Sequence, residues 1–312
     1  PPKHVISNDI MDIDAATRRS LELTTTQTGE KKGSLLWVLD CTVTNGGARM
    51  LQRRLSAPSM HTATIKQRLD EIETLYNDTR FTDELRDVLK SVPDMERALA
   101  RISATRGGPR DLGMIKDGLK HSAALAGRLI ALKQDHAALS AICDNLRHSP
   151  EIQALHDTLT KALKDDLPFL ARDGSFIAEG YHSKLDEYRI MRSESRKLIA
   201  ALQSKYREQT GIDTLKISFN NVLGYFVEVS SKKADPLMTP PGQEPDKDNP
   251  FIHRQTMASA LRFTTGELAT LERDISQAAD RSLSIETDIF DTLCSDITNL
   301  SAQIDVIARA LA

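Results

Sequence analysis

Apolar residues recur every three or four positions through most of the chain and every second position in one short stretch. Asp14 caps the run Ala15–Leu21, and Thr44 caps a helix over 45–55 that stops before Pro58. Thr62 or Thr64 opens a helix to Tyr76, with Ile65, Leu69, Ile72 and Leu75 on one stripe. Helices over 82–89 and 94–102 follow, separated by Pro93, and Gly107-Gly108-Pro109 is a break. From Arg110 to about Leu146 the pattern reads as one long helix, interrupted only by Gly113, Gly118 and Gly127.

Tyr181 to Gln209 is again helical, with Leu185, Tyr188, Ser195, Leu198, Leu202 and Tyr206 in register, and Gly211 is a natural left-handed stop. The period then becomes two. Leu215, Ile217 and Phe219 alternate with Lys216 and Ser218, and Tyr225, Val227 and Val229 alternate with Phe226 and Glu228, with Asn220-Asn221 as the hairpin turn. Five prolines between Pro236 and Pro250 mark a loop expected to be mobile. Helix is expected to resume near Gln255. The 46 residues after Gly266 hold no Gly or Pro and keep an apolar seam near 3.5 residues, enough for about 70 Å of helix. The pattern predicts a mainly α chain: a helical base carrying a long antiparallel coiled-coil arm with a small β tip.

Composition narrows the chemistry. Hydrophobic residues are 40%, charged ones 27% and aromatics 4%, which fits neither a disordered chain nor a β-sandwich, and no apolar run is long enough to span a bilayer. Cys41, Cys143 and Cys294 are far apart and read as buried free thiols. There is no phosphate-wrapping GxxxxGK[ST] loop, no GxSxG and no HExxH, and the eight histidines share no metal-ligand spacing, so the chain is expected not to be an enzyme. It opens on Pro1, as expected for part of a longer protein.

The net charge of −3 hides an asymmetry. Residues 196–265 carry ten Lys/Arg against seven Asp/Glu, a local +3 that leaves −6 for the rest. Lys216, Lys232, Lys233, Arg254 and Arg262 are the candidate phosphate contacts. Ser230, Ser231, Gln255, Thr256 and Ser259 are neutral donors of the type that hold backbone phosphates, helped by a helix start near Gln255. On charge alone, a solvated tip with incidental lysines is the stronger reading, because +3 over 70 residues is common.

Several stretches carry a resemblance. They are Met11–Glu22, Leu39–Thr44 with Gly46-Gly47-Ala48-Arg49, Pro109–Leu112, Gly180-Tyr181 with Leu185-Asp186-Glu187, Arg207–Ile212, Leu215-Lys216 through Gly224–Val229, and Arg254-Gln255-Thr256. In this order they resemble the core (lever) and clamp domains of the bacterial MutS mismatch repair family. The resemblance implies a discontinuous core and lever domain over 1–195 plus 266–312, and a clamp over 196–265. It implies a clamp that touches duplex DNA without reading sequence, coupled through the levers to an ATPase domain, in a cytoplasmic homodimer with no membrane contact. ATP and Mg belong to the full-length relative, and no cofactor is expected here.

The family's mismatch-reading domain with its Phe-x-Glu motif, its connector and its ATPase domain have no counterpart in this sequence. His253 stands where many relatives carry Arg, and Ala258-Ser259 replace a Lys-Asn pair seen in some. Two alternatives remain: a structural coiled-coil arm that binds only protein, and the same module from a relative that does not act on mismatches.

Overall fold

The computed structural model describes residues 9–131, 137–220, 222–238 and 249–312. The chain is mainly helical, with one small antiparallel sheet. It divides into two compact units, residues 1–178 with 289–312 and residues 179–288.

The first unit holds α1 (Ala15–Ser20), α2 (Leu35–Leu39), α3 (Asn45–Ser56), α4 (Thr62–Asn77), α5 (Thr79–Leu89), α6 (Met95–Ser103), α7 (Pro109–Ala131), α8 (Ser140–Leu146) and α9 (Pro150–Ala162). Side-chain caps set several starts: Asp14, Thr44, Asp94 and Ser149 each accept a backbone N–H from the first turn. α4 is different. It begins after His61 with no side-chain cap.

The pattern over 110–146 is not one helix. α7 and α8 are separate and pack on each other, burying Leu119, Leu125 and Leu129 with Leu139, Cys143 and Leu146. A continuous apolar stripe fits two antiparallel helices as well as one long one, so periodicity alone did not resolve the break. Two of the three α7 glycines are places of close approach: a Cβ at Gly118 would collide with the Met95 side chain, and one at Gly113 would meet Leu167 Cδ1 at 2.5 Å, whereas Gly127 faces open space. The α4 stripe also differs from expectation, since Ile65, Leu69 and Ile72 are exposed.

The second unit is built from α10 (Ser183–Thr210), β1 (Lys216–Asn220), β2 (Gly224–Ser230), β3 (Ile252–Thr256), β4 (Ala260–Thr264) and the first part of α11 (Gly266–Asn299). Within it α10 and α11 are joined by side chains: Arg189 pairs with the buried Glu286, Lys205 with Glu267 at 2.8 Å, and the Tyr206 hydroxyl meets Thr265 Oγ1 at 2.6 Å. Gly211 closes α10 at φ 66°, as its sequence position foretells.

The seam after Gly266 contains a break. α11 ends at Asn299 and α12 (Ser301–Ala310) follows, with the Leu300 N–H drawn to the carbonyls of both Asp296 and Ile297. That tightened turn interrupts a run in which neither Gly nor Pro signals a stop.

The sheet order is β1-β2-β4-β3. Its inner face, Val227, Val229 and Phe263 with Ile217, Tyr225 and Leu261, packs on Leu202, Tyr206 and Leu268. The expected helix near Gln255 is instead the β3–β4 hairpin. All five β3 residues are exposed, so no apolar alternation betrays the strand. It exists because β4 buries Phe263 and offers its other edge for pairing.

The β1–β2 connection is fastened by Asn220, whose Oδ1 accepts the N–H groups of Val222 and Leu223. Gly224 then takes φ 70°, and a Cβ there would meet Glu272 Cδ at 2.5 Å. Gly224→Ala is therefore expected to destabilise the second unit by more than about 1 kcal/mol. Urea unfolding followed by tyrosine fluorescence checks this; an unchanged midpoint would contradict it.

The loop expected to be mobile lies mostly outside the described residues, at 239–248. Its flanks are anchored, with Leu237 and Phe251 buried in the sheet's core.

Candidate nucleic-acid interface

Strand register and two turns place the ten candidate residues. Lys216 pairs with Glu228, Glu228 with Arg262, and Arg262 with Gln255. Directly paired residues share a face, so these four form one row on the side opposite the core. Ser230 ends β2 opposite Ala260. A short 3-10 turn, Ser231–Lys233, follows at the same end of the sheet, beside the β3–β4 turn that the Met257 N–H closes on the Ala260 carbonyl.

The Ser231 N–H donates to the Ser259 carbonyl at 3.1 Å, which ties these two turns together. Ser230, Ser231, Lys232, Lys233 and Ser259 thus converge although they come from two segments of sequence. Ser231 Oγ is buried and has no hydrogen-bond partner among the described residues. Thr256 lies close by, at the end of β3, and its hydroxyl contacts His253 Nε2 at 3.0 Å.

Arg262 is set apart from the other cations. Its Nε donates to Glu228 at 3.0 Å, its Nη1 donates to Gln255 at 3.1 Å, and its guanidinium lies 4.5 Å from the centre of the Phe226 ring. Ion pairing and stacking make it a cross-strand brace whose charge is already balanced. Gln255, through its carbonyl oxygen, is part of that brace.

Lys216, Lys232, Lys233 and Arg254 are exposed and make no ion pair among the described residues. Arg254 sits where the β3–β4 register shifts between His253 and Gln255, a bulge that gives one residue no partner opposite. The helix start expected at Gln255 supplies no donors, because α11 begins only at Gly266. What remains is a surface of strand and turn residues with four cations that make no ion pair among the described residues.

Other chemistry is sparse. Cys143 is buried, Cys294 partly so, and Cys41 is exposed, contrary to its expected burial. Burial, then Asp291 and Asp111, push the Cys294 thiol up to about 11, far from the thiolate a nucleophile needs. Among the described residues there is no cluster of three or more metal-ligating side chains, and no helix is long and apolar enough to cross a membrane.

One residue outside the interface escaped sequence reasoning. Arg49 forks onto Asp94 at 2.7 and 2.8 Å and reaches Glu96 at 2.8 Å, so it ties α3 to the start of α6. Its partners lie more than 40 positions away, and only its place after Gly46-Gly47-Ala48 in the resemblance singled it out.

Among the described residues the chain is mainly helical, and its small sheet carries exposed cations without ion pairs on strand and turn residues. Residues 16–312 match the model of MutS domain III. The chain is 44% identical over 312 residues to the DNA mismatch repair protein MutS of Rhodopseudomonas palustris (strain BisB5), covering 100% of this chain and 33% of the relative. To the DNA mismatch repair protein MutS of Rhizobium meliloti (strain 1021) it is 45% identical over 315 residues, again 100% of this chain and 33% of the relative. The chain belongs to the MutS domain III family. It spans about a third of the length of the curated relatives it matches.

Proposed function

We propose that residues 196–265 are a clamp that grips the backbone of duplex DNA without reading its sequence, and that residues 1–195 with 266–312 form the core and levers linking that grip to an ATP-driven partner domain of the parent protein. The observation that carries this reading is the convergence of Ser230, Ser231, Lys232, Lys233 and Ser259 at one end of the sheet, with Lys216 and Arg254 as further free cations. Exposed serine hydroxyls and lysines are phosphate-binding groups; Ser231, with its N–H on Ser259 and its Oγ buried, holds the two turns together. None of these groups is arranged as the paired donor and acceptor that identifies a base edge.

A homodimer, mismatch repair as the process and the cytoplasm as its place are part of the same proposal, supported by what the MutS relatives are named for. ATP and Mg would be bound outside this chain. A protein-only coiled-coil arm would not need free cations on the sheet.

The contribution of the lysine turn is separable. In a full-length parent, Lys232→Ala with Lys233→Ala should flatten the slope of log K against log salt by about 2, from roughly 0.9 for each phosphate no longer neutralised. An unchanged slope would remove both lysines from the interface.

A further inference from the structure

A second concentration of positive charge lies in the first unit, on residues the proposed clamp does not use. α3, α4 and α12 line a cleft of 510 Å³ whose wall carries Arg53, Arg54, Arg68 and Arg309, together with His61 and Asp9. Asp9, its only carboxylate among the described residues, is engaged by His61. Arg309 is paired with Asp305 at 2.7 Å, and Arg53 lies 3.7 Å from Glu96. Arg54 and Arg68 have no hydrogen bond or ion pair among the described residues. Residues 1–8, which precede Asp9, contain no Asp or Glu that could serve them.

We propose that this cleft binds a phosphate group of a small ligand, taken between the guanidinium forks of Arg54 and Arg68. All four strong cations in the wall are arginine and none is lysine, which suits planar, two-point recognition of an oxyanion. One carboxylate has two oxygens and a single charge, enough for one fork. A phosphate has oxygens for both forks and the charge to neutralise both.

Arg54 and Arg68 repel each other, Glu71 offsets only part of that cost, and an anion would relieve the rest. The Arg54 guanidinium is accordingly held below the usual arginine range, first by burial and then by the nearness of Arg68, with Glu71 opposing. Arg54 nonetheless keeps solvent contact and stays protonated. The volume is in the range of small-ligand sites, the Ser59 and Thr64 hydroxyls are in the wall, and Ile10, Met50 and Ala57 provide an apolar surface for the body of such a ligand.

The test titrates the 312-residue chain with inorganic phosphate, adenosine monophosphate and acetate at constant ionic strength, following the arginine Nε–H resonances and the melting temperature. Phosphate is expected to shift the Arg54 and Arg68 signals with a roughly millimolar constant and to raise the melting temperature. Arg54→Gln and Arg68→Gln should each weaken binding about tenfold or more. In phosphate-free buffer each variant should melt no lower than the wild type, because the repulsion is gone.

Tighter binding of adenosine monophosphate than of phosphate would assign the phosphate to a nucleotide; equal binding would assign it to free phosphate. Three results would each overturn the proposal: no shift at either arginine by about 50 mM phosphate, acetate binding as well as phosphate, or both variants retaining phosphate binding. Arg54→Lys guards against a folding defect, since it keeps the charge but loses the fork, and it should bind phosphate more weakly than the wild type.

Discussion

Replacing Arg49 by Ala is expected to destabilise the first unit by about 2–4 kcal/mol. Loss of one partner of a buried ion pair typically costs about 3–5 kcal/mol, whereas exposed pairs contribute about 0–1. This network lies toward the buried end: the Asp94 side chain is 12% exposed and the Arg49 side chain 28%. Without Arg49, Asp94 keeps the desolvation and loses two charge-assisted hydrogen bonds. For a unit of this size the loss should lower the melting temperature by roughly 5–12 °C.

The effect has a pH signature. Burial would raise the Asp94 pKa, but the Arg49 hydrogen bonds, the Arg97 N–H and the nearby charges outweigh it, so the carboxyl is held below its usual value. A depressed carboxylate contributes stability that is fully present above its unfolded pKa of about 3.9 and is lost as pH falls through the lower folded value. The gap between wild type and Arg49→Ala should therefore be constant from about pH 5 to 8 and shrink as pH falls below the unfolded carboxylate value of about 3.9. Denaturant titrations across that range decide it. A change under about 0.5 kcal/mol at pH 7 would mean that the network is only a surface ornament.

Such a residue shows what the sequence could and could not reveal. α10, its Gly211 stop and the β1–β2 hairpin were legible because each buries one side of a regular period against a common core. β3 was not: an exposed edge strand of Ile, His, Arg, Gln and Thr has no period, and its conformation comes from pairing with β4. The helix start expected at Gln255 failed for that reason. The α7–α8 break was hidden because its two helices present a continuous apolar stripe to each other.

At the interface, Lys232 and Lys233 could be picked out by charge and by their position after a strand. That Ser259 would join them depends on the Ser231–Ser259 hydrogen bond between segments some 30 residues apart. Arg262 looked like a free cation in the sequence. Only the strand register shows Glu228 directly opposite it, with Phe226 beneath the guanidinium.

The largest expected effect on function is the salt dependence of DNA binding. Lys216, Lys232, Lys233 and Arg254 are the candidate contact cations without an ion pair among the described residues, and a curved duplex surface is expected to engage a subset of them at once. With about three phosphates neutralised, log K should fall with log salt at a slope near −2.7. That corresponds to a loss of about 40-fold between 50 and 200 mM salt. One copy of the chain should bind weakly, with a constant of about 10⁻⁴ to 10⁻⁶ M, as backbone-only complexes do. Arg262→Ala should alter this chiefly through loosening of the sheet, because its charge is already matched by Glu228.

The most direct measurement is the affinity of the 312-residue chain for two duplexes that differ by a single mismatched pair, each titrated over that salt range. A backbone clamp predicts the same constant for both duplexes and the same slope near −2.7. Binding that is insensitive to salt, or a clear preference for the mismatched duplex, would contradict it.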